Sequence, residues 1–189
     1  MKEIIRETLK ESIRAKQAFI DTHEQLILDC AAAIAGTLKA GRKLLLFGNG
    51  GSAADCQHIA AEFVNRFQME RPPLAAIALT CDTSIITSIG NDYSYDDIFL
   101  KQVQALGKPG DMAVGISTSG NSPNVVRAAE AAKDMGLTLV GFSGAGGKLK
   151  DMSDTAFCVD SPVTARIQEV HIMLAHMLCD LSERMLYND

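Results

Sequence analysis

Between residues 43 and 160 the chain repeats a pattern that few folds can use. Five short runs are apolar at consecutive positions: Lys43–Gly48 (KLLLFG), Leu74–Leu79 (LAAIAL), Met112–Ser117 (MAVGIS), Leu137–Phe142 (LTLVGF) and Thr155–Asp160 (TAFCVD). Consecutive apolar side chains point to both sides of an extended strand, so both sides need cover. That is the situation of a parallel strand inside a layered α/β domain. The stretches between the runs, Ala53–Phe67, Ser84–Leu106, Pro123–Met135 and Gly147–Met152, read as the covering helices. The order βαβαβαβαβ predicts an α/β fold, a three-layer αβα sandwich on a five-stranded parallel sheet with right-handed crossovers.

Helical extensions flank this core. In residues 1–40, Ile5, Leu9, Ile13 and Ile20 mark one segment, Leu26, Cys30, Ile34 and Leu38 a second, and Gly41 a stop. From 163 to 187, Ile167, Val170, Leu174, Leu178, Leu181 and Met185 form an apolar stripe. No linker or repeat divides the chain. It reads as one domain over 1–189: an N-terminal arm (1–40), an α/β core (41–162) and a C-terminal helix (163–189). Such extensions either join subunits or pack on their own core.

Composition narrows the function. The net charge is 18 − 23 = −5, aromatics are 5% and Trp is absent. These argue against direct nucleic-acid binding, which needs a basic surface or stacking rings. No apolar run approaches the roughly 20 residues of a membrane span. The opening MKEIIRETLKES has no apolar signal-peptide core. Five cysteines without CxxC spacing read as reduced thiols. A cytoplasmic protein without membrane contact is expected.

Ligands of open parallel sheets bind beyond the carboxyl ends of the strands. Two loops there carry the chemistry. Gly48-Asn49-Gly50-Gly51-Ser52 follows the first strand; its glycines let backbone approach a ligand and Ser52 can cap the next helix. A tight strand-to-helix turn is its other reading. Ser117-Thr118-Ser119-Gly120-Asn121-Ser122-Pro123 follows the third strand and places four hydroxyls before a Pro-started helix. Hydroxyls and helix-start amides make a phosphate cradle without Lys or Arg. The Walker ending and the GxGxxG pattern are both missing, so a monophosphate suits the loop better than a nucleotide. His58 and Glu62 are one helical turn apart. They suit a zinc-like ion, an acid/base pair or a surface ion pair. Gln168, His171 and His176 crowd the last helix, while His23 reads as solvated and structural. Gly90-Asn91-Asp92 lies near the same edge, as a sugar-binding segment or a turn.

The segments GNGGSAADCQHIAAE, SIGNDYSYDDIF, GISTSGNSPNVV and ARIQEVHIMLAH, in this order, closely resemble the phosphoheptose isomerases of the sugar isomerase (SIS) domain superfamily. The resemblance runs over essentially the whole chain. It implies a flavodoxin-like fold, a homotetramer with active sites at subunit contacts and one zinc ion per subunit. It also implies conversion of sedoheptulose 7-phosphate to D-glycero-D-manno-heptose 7-phosphate, the first step toward activated heptoses for lipopolysaccharide core or other glycans. Carried over by position, the zinc ligands are His58, Glu62, Gln168 and His176. The phosphate lies on Ser117, Thr118, Ser119 and Ser122. Asn49, Gly50, Gly51, Ser52, Asn91 and Asp92 line the substrate, with Glu62 and Gln168. Glu62 and His176 resemble the acid/base pair. The superfamily also holds a DnaA-binding regulator of replication initiation, similar to this chain in AEFVNRFQMERPPLAAIAL and MLCDL. The resemblance implies that this relative lacks the residues matching Glu62 and His176; both are present here, which favours an enzyme.

Overall fold

The computed structural model describes residues 1–187. Its elements are α1 (Lys2–Lys39), β1 (Leu44–Gly48), α2 (Gly51–Val64), β2 (Ala76–Ala78), α3 (Thr83–Asp92), a 3₁₀ turn (Tyr95–Asp97), α4 (Leu100–Leu106), β3 (Met112–Ser117), α5 (Pro123–Asp134), β4 (Thr138–Ser143), α6 (Lys148–Met152), β5 (Thr155–Cys158) and α7 (Thr164–Tyr187). The five strands pair in parallel, as the apolar runs predict, and their order across the sheet is β2-β1-β3-β4-β5. β1 and β3 are buried at every position.

The alternation of each strand sorts its side chains into two cores. Leu44 and Leu46 of β1 join α1, α2 and α7 on one face. Leu45 and Phe47 join α3, α4, α5 and α6 on the other. The sheet therefore has helices on both faces, the doubly wound arrangement.

Several boundaries differ from the sequence pattern, each for a local reason. The two N-terminal segments are one helix of 38 residues, because nothing between them breaks it. Ile5, Leu9 and Ile13 on its first half are exposed; further along, Phe19, Ile27 and Cys30 enter the core. The stretch 84–106 is broken in the middle: Ser94 accepts a hydrogen bond from Asp96 N–H and caps the 3₁₀ turn. β2 shrinks to three residues as an edge strand following Pro72-Pro73. α2 stops at Val64, where Arg71 takes over carbonyls near its end. His23 is not simply solvated: it stacks on Phe19 with ring centroids 4.3 Å apart. In α7, Ile167, Val170, Leu174 and Leu178 are buried in their own core against α1. The stripe that could have served a subunit contact is thus spent on the fold, and Arg166 Nη1 donates to Thr8 O to fasten the two helices.

At the opposite, amino edge of the sheet Asp111 accepts from Lys43 N–H (3.1 Å), Lys43 Nζ (2.5 Å) and Lys108 N–H (2.9 Å). Burial alone would raise its pKa, but these donors outweigh burial and hold it below the ordinary value. A lowered folded-state pKa gives stability that is complete above the unfolded value and is lost as pH falls through the folded one. Denaturant titrations should therefore show a steeper acid loss of stability below about pH 4 in wild type than in Asp111→Asn. Equal slopes would remove Asp111 from the acid response.

Candidate active site at the carboxyl edge of the sheet

β1 sits between β2 and β3, so the chain leaves it in one direction and later returns on the other. The crevice of a doubly wound sheet opens at such a reversal. The loops after β1 and β3, chosen from the sequence for their glycines and hydroxyls, are the walls of this crevice.

The first wall is Asn49 to Ser52. Gly50 takes a positive φ of 55° and is the helix N-cap, with Ala53 and Ala54 N–H donating to its carbonyl. Ser52 is therefore not the cap: it lies within the first turn, buried. Gly51 is needed for a close approach. A Cβ there would stand 2.6 Å from Gln168 Nε2, so α7 lays this amide directly on the start of α2. Asn49 exchanges two hydrogen bonds with Asn124, at 2.8 and 2.9 Å. Asn124 is a buried residue of α5 that sequence reasoning missed; its only signal is an amide beside apolar Val125 and Val126. The pair fastens the first loop to the helix behind the second. Tyr95 Oη also donates to Asn49 Oδ1, at 3.3 Å, bringing in the corner after α3. Asn91 and Asp92 lie exposed on the last turn of α3, bonded to each other at 2.8 Å, rather than in a free turn.

The second wall is the hydroxyl loop. Ser117 Oγ lies 2.9 Å from Ser122 Oγ and 3.3 Å from Ser119 Oγ, so three hydroxyls share one patch at the start of α5. Pro123 is the first helical residue, as predicted, and α5 turns its positive end toward them. The loop rests on residues 144–149. Gly144 N–H donates to Thr118 O, Leu149 N–H to Gly120 O, and Lys148 N–H to Asn121 Oδ1, all at 3.0 Å. His171 of α7 supports the same platform. Burial pushes its pKa down to about 4, so at neutral pH its Nε2–H donates to Ser143 O at 3.1 Å.

α2 and α7 bring polar residues of their own together. His58 Nε2 is 3.5 Å from Glu62 Oε1 and 2.9 Å from His176 Nε2. His58 and His176 meet edge to face, and Phe67 stacks on the other side of His176 at 5.5 Å. Asp55, one turn before His58, has its carboxyl raised by burial, with His58 and His176 pulling it back. Two ring nitrogens and a carboxylate oxygen thus face one another in a half-open site. Such groups can pass protons or donate to a metal. Among the described residues, no group of three His, Cys, Asp or Glu side chains is arranged to hold a metal ion. Gln168 lies at Gly51, seven residues before His58 and so about 10 Å along the helix. Two imidazoles, a carboxylate and a side-chain amide are nevertheless donors that zinc accepts. The residues fit such an ion in kind.

Comparisons with known proteins place the chain as a whole in a family. Residues 9–144 match the family model described as SIS domain. The phosphoheptose isomerase of Nitratidesulfovibrio vulgaris strain Hildenborough is 57% identical over 187 residues, covering 98% of this chain and 90% of that protein. That of Aquifex aeolicus is 54% identical over 187 residues, covering 98% of both. Among solved structures, the phosphoheptose isomerase of Neisseria gonorrhoeae superposes with a TM-score of 0.91 at 45% identity, covering 96% of this chain and 98% of that one. That of Francisella tularensis gives 0.93 at 39% identity, covering 96% and 97%.

Proposed function

The chain belongs to the SIS-domain family and, within it, to the phosphoheptose isomerases, and from that membership we propose that it interconverts sedoheptulose 7-phosphate and D-glycero-D-manno-heptose 7-phosphate. The observation that carries this reading is the meeting of His58, Glu62 and His176 on α2 and α7, in a chain that also gathers the Ser117, Ser119 and Ser122 hydroxyls at the start of α5. The proton acceptor and the phosphate cradle then sit at opposite ends of a sugar phosphate.

Each end has a defined task. Ser117, Thr118, Ser119 and Ser122, with the first amides of α5, hold the phosphate and anchor the sugar. Asn49, Gly50, Gly51, Ser52, Asn91 and Asp92 line the chain of hydroxyls. Glu62 takes a proton from C1 of the ketose and returns it to C2, through an enediolate. His176 moves the accompanying proton between O1 and O2. A zinc ion on His58, Glu62, Gln168 and His176, one per subunit, would supply Lewis-acid stabilisation of the negative charge that develops. C1 is oxidised as C2 is reduced, so no external redox cofactor is needed, which suits a chain without a dinucleotide fingerprint.

The wider setting belongs to the same proposal. The chain acts as one SIS unit over 1–189, in the cytoplasm, at the first step toward activated heptoses for surface glycans. Four copies assemble with their active sites at subunit contacts. The exposed Ile4, Ile5, Leu9 and Ile13 of α1 support an assembly face there, in place of the buried stripe of α7. No helix among the described residues is long and apolar enough to cross a membrane. Neither the site nor these relatives favour the DnaA-binding alternative.

The test is incubation of the purified protein with sedoheptulose 7-phosphate, with and without a chelator. The aldose should form and chelation should suppress it; a folded protein that forms no aldose defeats the proposal. The cradle has its own test. Ser119→Ala with Ser122→Ala removes two hydroxyls, each worth about 1.5–3 kcal/mol toward a charged group. Calorimetry should show binding of the ketose phosphate weakened by roughly 10²-fold or more. An unchanged dissociation constant would take the phosphate away from this loop.

A further inference from the structure

The segment between α2 and β2, residues 65–75, touches the site described above through the Phe67 ring on His176. It also supplies Arg71 to the most deeply buried ion pair among the described residues. Arg71 and Glu183 have side chains 1% and 0% exposed, with Arg71 Nε donating to Glu183 Oε2 at 2.9 Å. Glu183 accepts in addition from the N–H groups of Phe67 and Gln68, both at 3.1 Å, and from that of Met69. Burial works to raise its pKa, but these donors hold it below the ordinary value, so it is a carboxylate. The guanidinium of Arg71 turns its other face to α2, where Nη2 donates to Glu62 O at 2.8 Å and Nη1 to Phe63 O at 2.9 Å.

Two of these bonds lead to the proposed acid/base pair. Glu183 lies seven residues after His176 on α7, two turns along the same face. Its carboxylate pins the N–H of Phe67, and the Phe67 ring stacks on His176 with an interplanar angle of 26°. Arg71 meanwhile holds the carbonyl of Glu62 itself. We infer that Arg71, Glu183 and Phe67 are positioning residues that set the distance between Glu62 and His176. This rests on the isomerase reading. A charge pair buried this fully is an expensive way to fasten a loop, since apolar residues of similar size serve stability as well. What it adds is direction: a fork of donors and a carboxylate with several acceptor sites fix three chain segments at once.

Two sets of variants test this. Phe67→Leu keeps an apolar side chain but removes the ring face from His176. Its kcat should fall roughly tenfold or more while KM changes less than about twofold, because misplacement affects the reacting step rather than binding. Phe67→Tyr keeps the ring and should restore kcat. The double variant Arg71→Met, Glu183→Leu replaces the pair by apolar side chains and should show the same selective loss of kcat in protein that still melts cooperatively. An unchanged kcat in Phe67→Leu, a loss that Phe67→Tyr does not restore, or a fully active double variant would each overturn the inference. The proton resonances of the His176 ring at one fixed pH separate it from the isomerase reading. The ring current of Phe67 should shift them in wild type and not in Phe67→Leu, whether or not any sugar is turned over; identical resonances would overturn the inference too.

Discussion

Glu62→Gln should retain the fold and lose isomerisation by at least roughly 10²–10⁴-fold in kcat, the usual contribution of a positioned base. The amide has nearly the size of the carboxylate but cannot accept a proton from carbon. Structure should survive because what the fold takes from this residue is its backbone carbonyl, held by Arg71, and not its side chain. The side chain faces His58 at 3.5 Å in a part-exposed site. Steady-state rates with circular dichroism on the same sample check the expectation. A folded Glu62→Gln protein with wild-type turnover would assign the base elsewhere.

Gly120→Ala should be nearly as damaging by a different route. Gly120 has φ of +66°, which L residues avoid. Its added Cβ would stand 2.1 Å from Gly146 O, a backbone atom that cannot rotate away. The hydroxyl loop and its platform would have to part, straining the bonds from Gly120 N–H to Ser117 O and from Leu149 N–H to Gly120 O. The loop that holds Ser117, Ser119 and Ser122 in one patch then loses its shape. With two bonds to a charged phosphate at stake, each about 1.5–3 kcal/mol, KM should rise by roughly 10²-fold or more. The sheet should survive, since both loops lie outside it. A Gly120→Ala enzyme with wild-type KM would contradict the assigned cradle.

The core of the fold was legible because burial on two sides leaves a local mark. Leu44 to Phe47 are apolar in sequence since β1 feeds both cores, and every strand could be found this way. Ends were less legible, because they depend on partners far along the chain. α2 stops at Val64 in the presence of Arg71, and no periodicity within the helix announces that. The stripe of α7 had the spacing of a contact helix, but spacing alone does not say whether the partner is a second copy or α1. The same division runs through the site. His58 and Glu62 are one turn apart and could be paired from spacing. His176 joins them across 118 residues, and only the family resemblance anticipated it. Asn124 and the Arg71–Glu183 pair left no comparable signal: their partners are 75 and 112 residues away.

Conversion of sedoheptulose 7-phosphate in D₂O tests the central claim most directly. Proton transfer through a carboxylate open to solvent exchange places deuterium on C2 of the aldose, because the proton taken from C1 is diluted into the solvent before its return. Glu62 has a side chain 22% exposed, so its bound proton can exchange. The account predicts D-glycero-D-manno-heptose 7-phosphate carrying deuterium at C2, formed by wild type and not by Glu62→Gln. No aldose from folded wild-type protein, or aldose whose C2 hydrogen comes wholly from the substrate, would contradict it.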